Sequence, residues 1–596
     1  ISKSSLAAHK IKTHRRIGLT GSPMSNNTSE IFALIDWVAP KFLGNKVEFK
    51  AHYQEPIEAG TYLDSNKAEI RKSMTKLAAL KRIISPKLNR ADITVLKGSL
   101  KSKVEFVLTI PLTEPQKLGY AAYVREILRG KAGEEGSTIS QVKLFGWLSI
   151  LQLLCNHPVV FRRKLLEPIT TGKKGKKATL TAADTEVVED TLTAGSSTAP
   201  SSTAIAVSGT ARLREGQSPA NEEDAAYADV HISQYDINKA IVDALLEVVP
   251  DDDSIELSYK TLLVRKIMGL SIEAGDKVLI FSQSIPSLNF LDKMLTSMGL
   301  RYGRIQGDVA QEKREKVLKA MSNNKLDVLL ISTRAGGLGL NIQQANRVII
   351  FDYSFNPTWE EQAIGRSYRL GQTKPVFVYR FVAGGTFEFG LYDKQLFKTG
   401  LSSRVVDKKN PMRNANKKPA EWMKPPFDVP QQDINAEAGK DENVMDKIIA
   451  SQRGGHDEFI RSIKTMETLM GESKDEALTA EEMQEVENEV LLAQTRKISG
   501  FENRTTLAPP PPPGFGPNEP LPYNLGMNFT LPGFGTPPSI TQPGFRAGSQ
   551  KRLNAQQQQQ AVPAAHERHA RQTLSSEPTD LTKSPPTPGK RIVTRY

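Results

Sequence analysis

Between Lys277 and Val382 the chain alternates short apolar runs with amphipathic stretches, and this alternation limits the possible fold more than any other feature. Lys277-Val-Leu-Ile-Phe281 has the length of a buried strand, and Ser287 to Gly299 follows with helical spacing and a closing glycine. Tyr302 to Gln306, Asp327 to Ser332, Arg347 to Asp352 and Val376 to Val382 repeat the strand pattern, with Gln311 to Met321 as a further helix. Strands that are apolar throughout need cover on both faces, and crossover helices supply it in a parallel α/β sheet. Ligands of such sheets sit beyond the carboxyl ends of the strands. Two segments are expected there: glycine-rich Ser332 to Asn341, and a helix carrying Arg366 and Arg369.

From Glu361 to Gln372, EQAIGRSYRLGQ, the residues Gln362, Arg366 and Arg369 recur at spacings of four and three, which puts them on one face of a helix. Thr358 followed by Glu361 reads as a capping box that starts this helix near Trp359. Two permanently charged guanidiniums one turn apart, with Gly365 allowing close approach, suit a polyphosphate. A solvated basic helix fits the same letters, so spacing alone leaves both readings open.

The signatures along the chain resemble, in their order, those of the Swi/Snf-type ATPases of helicase superfamily two. Phe281-Ser-Gln283 is similar to that family's motif IV, Ser332 to Asn341 to motif V, and Gln362 to Gln372 to motif VI. Leu19-Thr-Gly-Ser-Pro-Met-Ser-Asn26 resembles motif III, with Ser22 where threonine is usual. Leu153-Leu-Cys-Asn-His-Pro158 resembles a marker of the helical region between the two motor lobes. Asp36-Trp-Val-Ala-Pro40 with Asn89-Arg-Ala-Asp92 is most similar to the branch that contains ATRX.

The resemblance, which covers roughly residues 1 to 165 and 230 to 405, implies a RecA-like lobe with the tail of a first such lobe. It implies that Arg366 and Arg369 act as arginine fingers toward the terminal phosphates of ATP, with Gln362 hydrogen-bonding nearby. Gly337 and Gly339 would let the motif V loop approach nucleotide and DNA. Gln283, Ser332 and Thr333 are the candidates for contacts to the DNA backbone. Trp359 is either a wedge at the minor groove or a core residue, and Thr20, Gly21 and Ser22 would relay between nucleotide and DNA. Double-stranded DNA and nucleosomes are the implied partners, ATP with magnesium the cofactors, and the nucleus the location.

No G-x-x-x-x-G-K-[ST] occurs, and no D-E-x-H follows a strand. Thr171-Gly-Lys-Lys-Gly-Lys-Lys-Ala-Thr179 has the wrong spacing and reads as a basic linker. The resemblance would put the phosphate cradle and the magnesium ligands in a missing first lobe, so an N-terminally truncated fragment without ATP turnover of its own is expected. A noncatalytic DNA-binding scaffold and a strand-separating helicase are the competing readings.

A net charge of +13 and a pI near 9.4 favour a polyanionic partner, although surplus lysine also keeps proteins soluble. No apolar stretch of about eighteen residues is present, so no membrane-spanning helix is expected. Cys155, the one cysteine, excludes an internal disulfide and reads as a packing residue, and His157 as a structural turn residue.

Composition divides the chain. Residues 1–58 carry motif III and a helix from Glu30 to Val38, 59–165 read as helical and basic, and 166–228 as a disordered insertion. The second lobe spans 229–410, and 411–500 read as a basic linker with acidic helices centred on Met445, Ile463 and Glu485. In 501–596, Pro509 to Pro513 and the repeated Pro-Gly-Phe read as unfolded, either a neutral spacer or a ligand for proline-binding partner domains.

Overall fold

The apolar runs form strands because pairing satisfies their backbones while both faces take up side chains. The computed structural model describes residues 7–13, 15–91, 98–129, 141–167, 237–307, 309–336, 339–407, 409–417, 422–452 and 458–502. The two segments expected to be disordered, 166–228 and 501–596, lie outside these residues except at their edges.

The elements that build the site are, in chain order, α1 (Thr28–Val38), α2 (Lys67–Ile84), β1 (Lys103–Ile110), α3 (Glu114–Arg129), α4 (Gln141–Asn156), α5 (Pro158–Leu165), α6 (Tyr259–Glu273), β2 (Val278–Ser282), α7 (Ile285–Ser297), β3 (Tyr302–Ile305), α8 (Gln311–Ser322), β4 (Val328–Ser332), α9 (Thr333–Gly336), β5 (Arg347–Ile350), α10 (Thr358–Ile364), β6 (Val376–Ala383), α11 (Phe387–Val405), α12 (Met445–Gln452), β7 (Ser462–Thr465) and α13 (Ala480–Glu502). Asn27 caps α1 by accepting from the Ser29 N–H. Asn66 and Glu69 form a reciprocal capping box on α2.

Seven strands make one sheet in the order β3-β4-β2-β5-β6-β1-β7, parallel throughout except for β7, which pairs antiparallel with β1. Two expectations are corrected here. Residues 59–165 are not all helical, because Lys103–Ile110 pairs along its whole length with β6. Ile463 lies in a strand rather than a helix, since its backbone completes the edge of β1 opposite Leu108.

Successive side chains alternate between two cores. Leu279, Phe281, Leu329, Ile331 and Val348 join Tyr123, Trp147, Leu151 and Phe161 from α3, α4 and α5 on one face. Val278, Ile280, Val328, Leu330 and Ile349 join Leu263, Ile267, Ile448 and Ile449 from α6 and α12 on the other. Each fully buried side chain of this size contributes about 1.5–3 kcal/mol. A third cluster packs α1 and α2 on Leu401 and Val405 of α11.

Candidate nucleotide and nucleic-acid site

At the carboxyl ends of β2 and β5, polar groups close into a buried network. Asp352 accepts from Ser282 Oγ at 2.6 Å and from the Gln283 N–H at 2.8 Å. Its other donor is Asn156 Nδ2, at 2.8 Å, which also reaches Ser287 Oγ at 2.9 Å. Lys260 Nζ donates to Asn156 Oδ1 at 3.2 Å and to both oxygens of Glu388 at 2.9 Å. Burial raises the Asp352 carboxyl to about 6 against these hydrogen bonds.

The adjoining His157 is structural. Its Nδ1 accepts from the Val159 N–H at 3.2 Å and caps α5, so Nε2 carries the proton it gives to the Ser254 carbonyl at 3.0 Å. The ring stacks on Phe290, and burial, opposed by the Ser254 bond, lowers its pKa to about 4. Cys155 is buried, and desolvation pushes its thiol well up. The Leu153-to-Pro158 signature is thus a clamp that joins α4 to the strand ends.

The arginine segment differs from its expected form. Helix α10 starts after Pro357, with no side-chain cap, so the Thr358/Glu361 capping box is absent. Glu361 instead reaches Arg380 at 2.7 Å, and Arg380 also binds Glu105 at 2.9 Å. The buried Glu105 carboxyl, which burial alone would raise, falls to about 2 beside Arg380 and Lys103. Glu360 is buried, accepts from the Ser354 N–H at 2.9 Å, and is raised by burial to about 7.

Helix α10 ends at Ile364, with Gly365 as its C-cap, so Arg366 and Arg369 are not on a helix with Gln362. Turn bonds replace the helix, and side-chain bonds strap the segment to the loop that enters β5. Ile342 N–H donates to the Arg366 carbonyl at 3.1 Å. Gln372 Nε2 donates to the carbonyls of Gln343 and Ala345 at 2.9 and 3.0 Å, and Ser367 Oγ donates to Ala345. Gly371, at φ +93°, lies against the Gln343 amide, where a Cβ would come within 2.8 Å. Ala345 lies two residues before Arg347, where β5 begins, so the end of this segment at Gln372 reaches the strand entries. The helix starts beyond the carboxyl end of β5, and the chain past Gly365 runs on to the entry of that strand.

The strap holds the arginines while leaving their charges unspent. Arg366 Nε is buried with no hydrogen-bond partner among the described residues. Burial, and then the charge of Arg369, lower the Arg366 pKa from its usual value, although a guanidinium stays protonated. A polar group left this way fits an anion that would complete it. Thr333 Oγ1, 2% exposed after β4, is likewise buried without a partner. Gly339, at φ +75°, stands three residues before the Ile342 that binds Arg366.

The other expected residues divide. Ser332 is buried at the end of β4. Gln283 Nε2 is engaged inside the protein, with Gln152 Oε1 at 2.7 Å and the Tyr353 carbonyl. Gln362 and Trp359 are half-buried on α10, whereas Thr20, Gly21 and Ser22 are exposed. Gly337 lies outside the described residues. Sequence reasoning missed Lys260, Glu388, Asp352 and Glu105, which carry no motif and acquire partners only through the fold. Among the described residues no three His, Cys, Asp or Glu side chains are grouped to hold a metal ion.

Residues 1–160 match the SNF2-related domain and residues 259–371 the helicase conserved C-terminal domain. The chain is 29% identical to Protein CHROMATIN REMODELING 20 of Arabidopsis thaliana, over 88% of this chain and 36% of that protein. It is 30% identical to the human Helicase ARIP4, over 70% of this chain and 29% of that one. It is 28% identical to the human Transcriptional regulator ATRX, over 88% of this chain and 23% of that one. The chain therefore spans about a quarter to a third of the length of these relatives.

Proposed function

Because the chain belongs to the Swi/Snf-type family of helicase superfamily two, with ATRX and ARIP4 among its relatives, we propose that it is the finger-bearing part of an ATP-driven motor that moves along duplex DNA in chromatin. The observation that carries this reading is the buried Nε of Arg366, without a partner among the described residues, on a strapped backbone. Arg366 and Arg369 would meet the terminal phosphates of ATP held by phosphate-binding residues that this sequence lacks, and stabilise the charge that develops there. Gln362 and Gly339 would border that nucleotide. Among the described residues no three His, Cys, Asp or Glu side chains are grouped to hold magnesium, so no role in its binding falls to them.

Duplex DNA would be held through its backbone, since a motor that moves over any sequence cannot depend on base edges. Ser332 and Thr333 are the proposed contacts at the end of β4, and because both side chains are buried the segment that follows must open for them to reach DNA. Gln283 would act by fixing the β2 end, given its internal bonds. Trp359 would border the groove, and Thr20, Gly21 and Ser22 would couple the two ligands. Nuclear location and action on nucleosomes follow from this reading alone.

The test is DNA-stimulated ATP turnover by the complete gene product, paired with duplex affinity. Arg369→Ala should lower turnover by about three to five orders of magnitude, as removal of an arginine finger does, while duplex affinity stays within a few fold. Equal collapse of DNA binding would sink the assignment of roles.

A further inference from the structure

Helices α2 and α13 pack side by side although their sequences lie far apart, and they carry opposite charges. Arg71 Nε donates to Glu482 Oε1 at 2.8 Å, and its terminal nitrogen reaches the other carboxylate oxygen. Lys76 Nζ lies 2.9 Å from Glu489 and 3.9 Å from Glu485. Arg82 faces Glu487 at 3.7 Å, and Lys67 faces Glu476 at 3.9 Å. In all five pairs the cation is on α2 and the carboxylate is on α13 or just before it.

The two helices are anchored differently. Helix α2 buries Ala79, Leu80, Ile83 and Ile84, and Leu80 and Ile84 join the cluster with Leu401 and Val405 of α11. Among its described side chains, α13 buries only Val486, and Leu491 and Leu492 stay 62% and 61% exposed. Charge therefore holds α13 in place, and pairs as exposed as Arg82–Glu487 are weak and screened by salt. Along the α2 axis the four cations are four, five and six residues apart. That is roughly 6–9 Å at 1.5 Å per residue, comparable with two phosphate steps of about 3.4 Å along one DNA strand.

We propose that Lys67, Arg71, Lys76 and Arg82 form a docking surface for the phosphate backbone of a nucleic-acid duplex, and that α13 occupies this surface in cis as a displaceable acidic cover. A duplex takes the place of five carboxylates with phosphates, and α13 leaves because little apolar surface retains it. The proposal rests on the DNA reading above. It adds a second contact surface, whose availability α13 controls.

The test uses the full 596-residue chain and a short fluorescent DNA duplex, with anisotropy measured between about 50 and 200 mM salt. The triple variant Glu482→Gln, Glu485→Gln, Glu489→Gln should bind about tenfold more tightly, with a log–log salt slope steeper by about two, near 0.9 for each of the freed cations Arg71 and Lys76. Adding Arg71→Ala and Lys76→Ala should remove that gain. In the unchanged chain, duplex should speed amide exchange over residues 480–495, a readout that needs no variant. Unaltered affinity, or a gain that survives loss of Arg71 and Lys76, overturns the proposal. So does capture of poly-glutamate by the triple variant in place of duplex, which would mark an acidic protein as the occupant. Duplex binding unaffected by every change would leave the DNA reading standing and remove only the cover, whereas absence of duplex binding in every form would overturn both.

Discussion

Asn156 and Arg366 are both polar groups fixed by loops of one sheet, yet they are treated in opposite ways. Asn156 is fully buried and donates hydrogen bonds from its amide nitrogen to Ser287 and Asp352, while its Oδ1 accepts one from Lys260. Arg366 has an equally fixed backbone and a buried Nε with no partner among the described residues. Satisfied polar networks rigidify a fold, and an unsatisfied group costs stability unless a ligand completes it. The first region is therefore structural, and the second fits the proposed role of Arg366 in meeting an anion.

The contrast can be broken most severely at Lys260. Lys260→Ala strands the Glu388 carboxylate in the interior and should cost about 3–5 kcal/mol in denaturant unfolding. A loss below about 1 kcal/mol would mean that the network is not closed as described.

The pH response of His157 tests the same region. Its folded pKa of about 4 lies below the usual 6.5, so the neutral ring stabilises the fold fully above pH 6.5, and that stability is lost as pH falls toward 4. Asp352, raised to about 6, acts in the opposite direction, so the comparison needs a variant that leaves Asp352 in place. The stability advantage of wild type over His157→Asn should shrink by about 3 kcal/mol across that window. A constant difference would refute the buried neutral ring.

Asn156→Ala removes one member and leaves neighbouring donors and acceptors unpaired, for an expected loss of about 1–3 kcal/mol by thermal or chemical unfolding. The smallest effect belongs to the other side of the contrast. Arg366→Ala deletes no described side-chain bond and should change stability by less than about 0.5 kcal/mol.

The strands from Lys277 to Val382 were legible because each is a continuous apolar run, and every one appears within two residues of its expected bounds. Strand β1 was missed although Val104, Phe106 and Leu108 alternate with Glu105, Val107 and Thr109, because its parallel partner β6 lies 273 residues away, between Val104 and Phe377. Ile463 was misread because a four-residue edge strand has too short a pattern to show its period. The spacing of Gln362, Arg366 and Arg369 is helical, yet Gly365 and the strap through Gln343, Ala345 and Gln372 end the helix, which is a tertiary effect. The arginines themselves were legible from motif order. That Arg366 Nε has no partner among the described residues was visible only once the fold had brought Asn156, Asp352 and Lys260 together.

The most direct measurement is steady-state, DNA-stimulated ATP turnover by the complete gene product carrying Arg366→Ala, below its unfolding temperature and alongside Asn156→Ala. The account predicts that Arg366→Ala loses at least about three orders of magnitude in turnover with its stability intact. Turnover within about tenfold of wild type, or a stability loss matching that of Asn156→Ala, would contradict it.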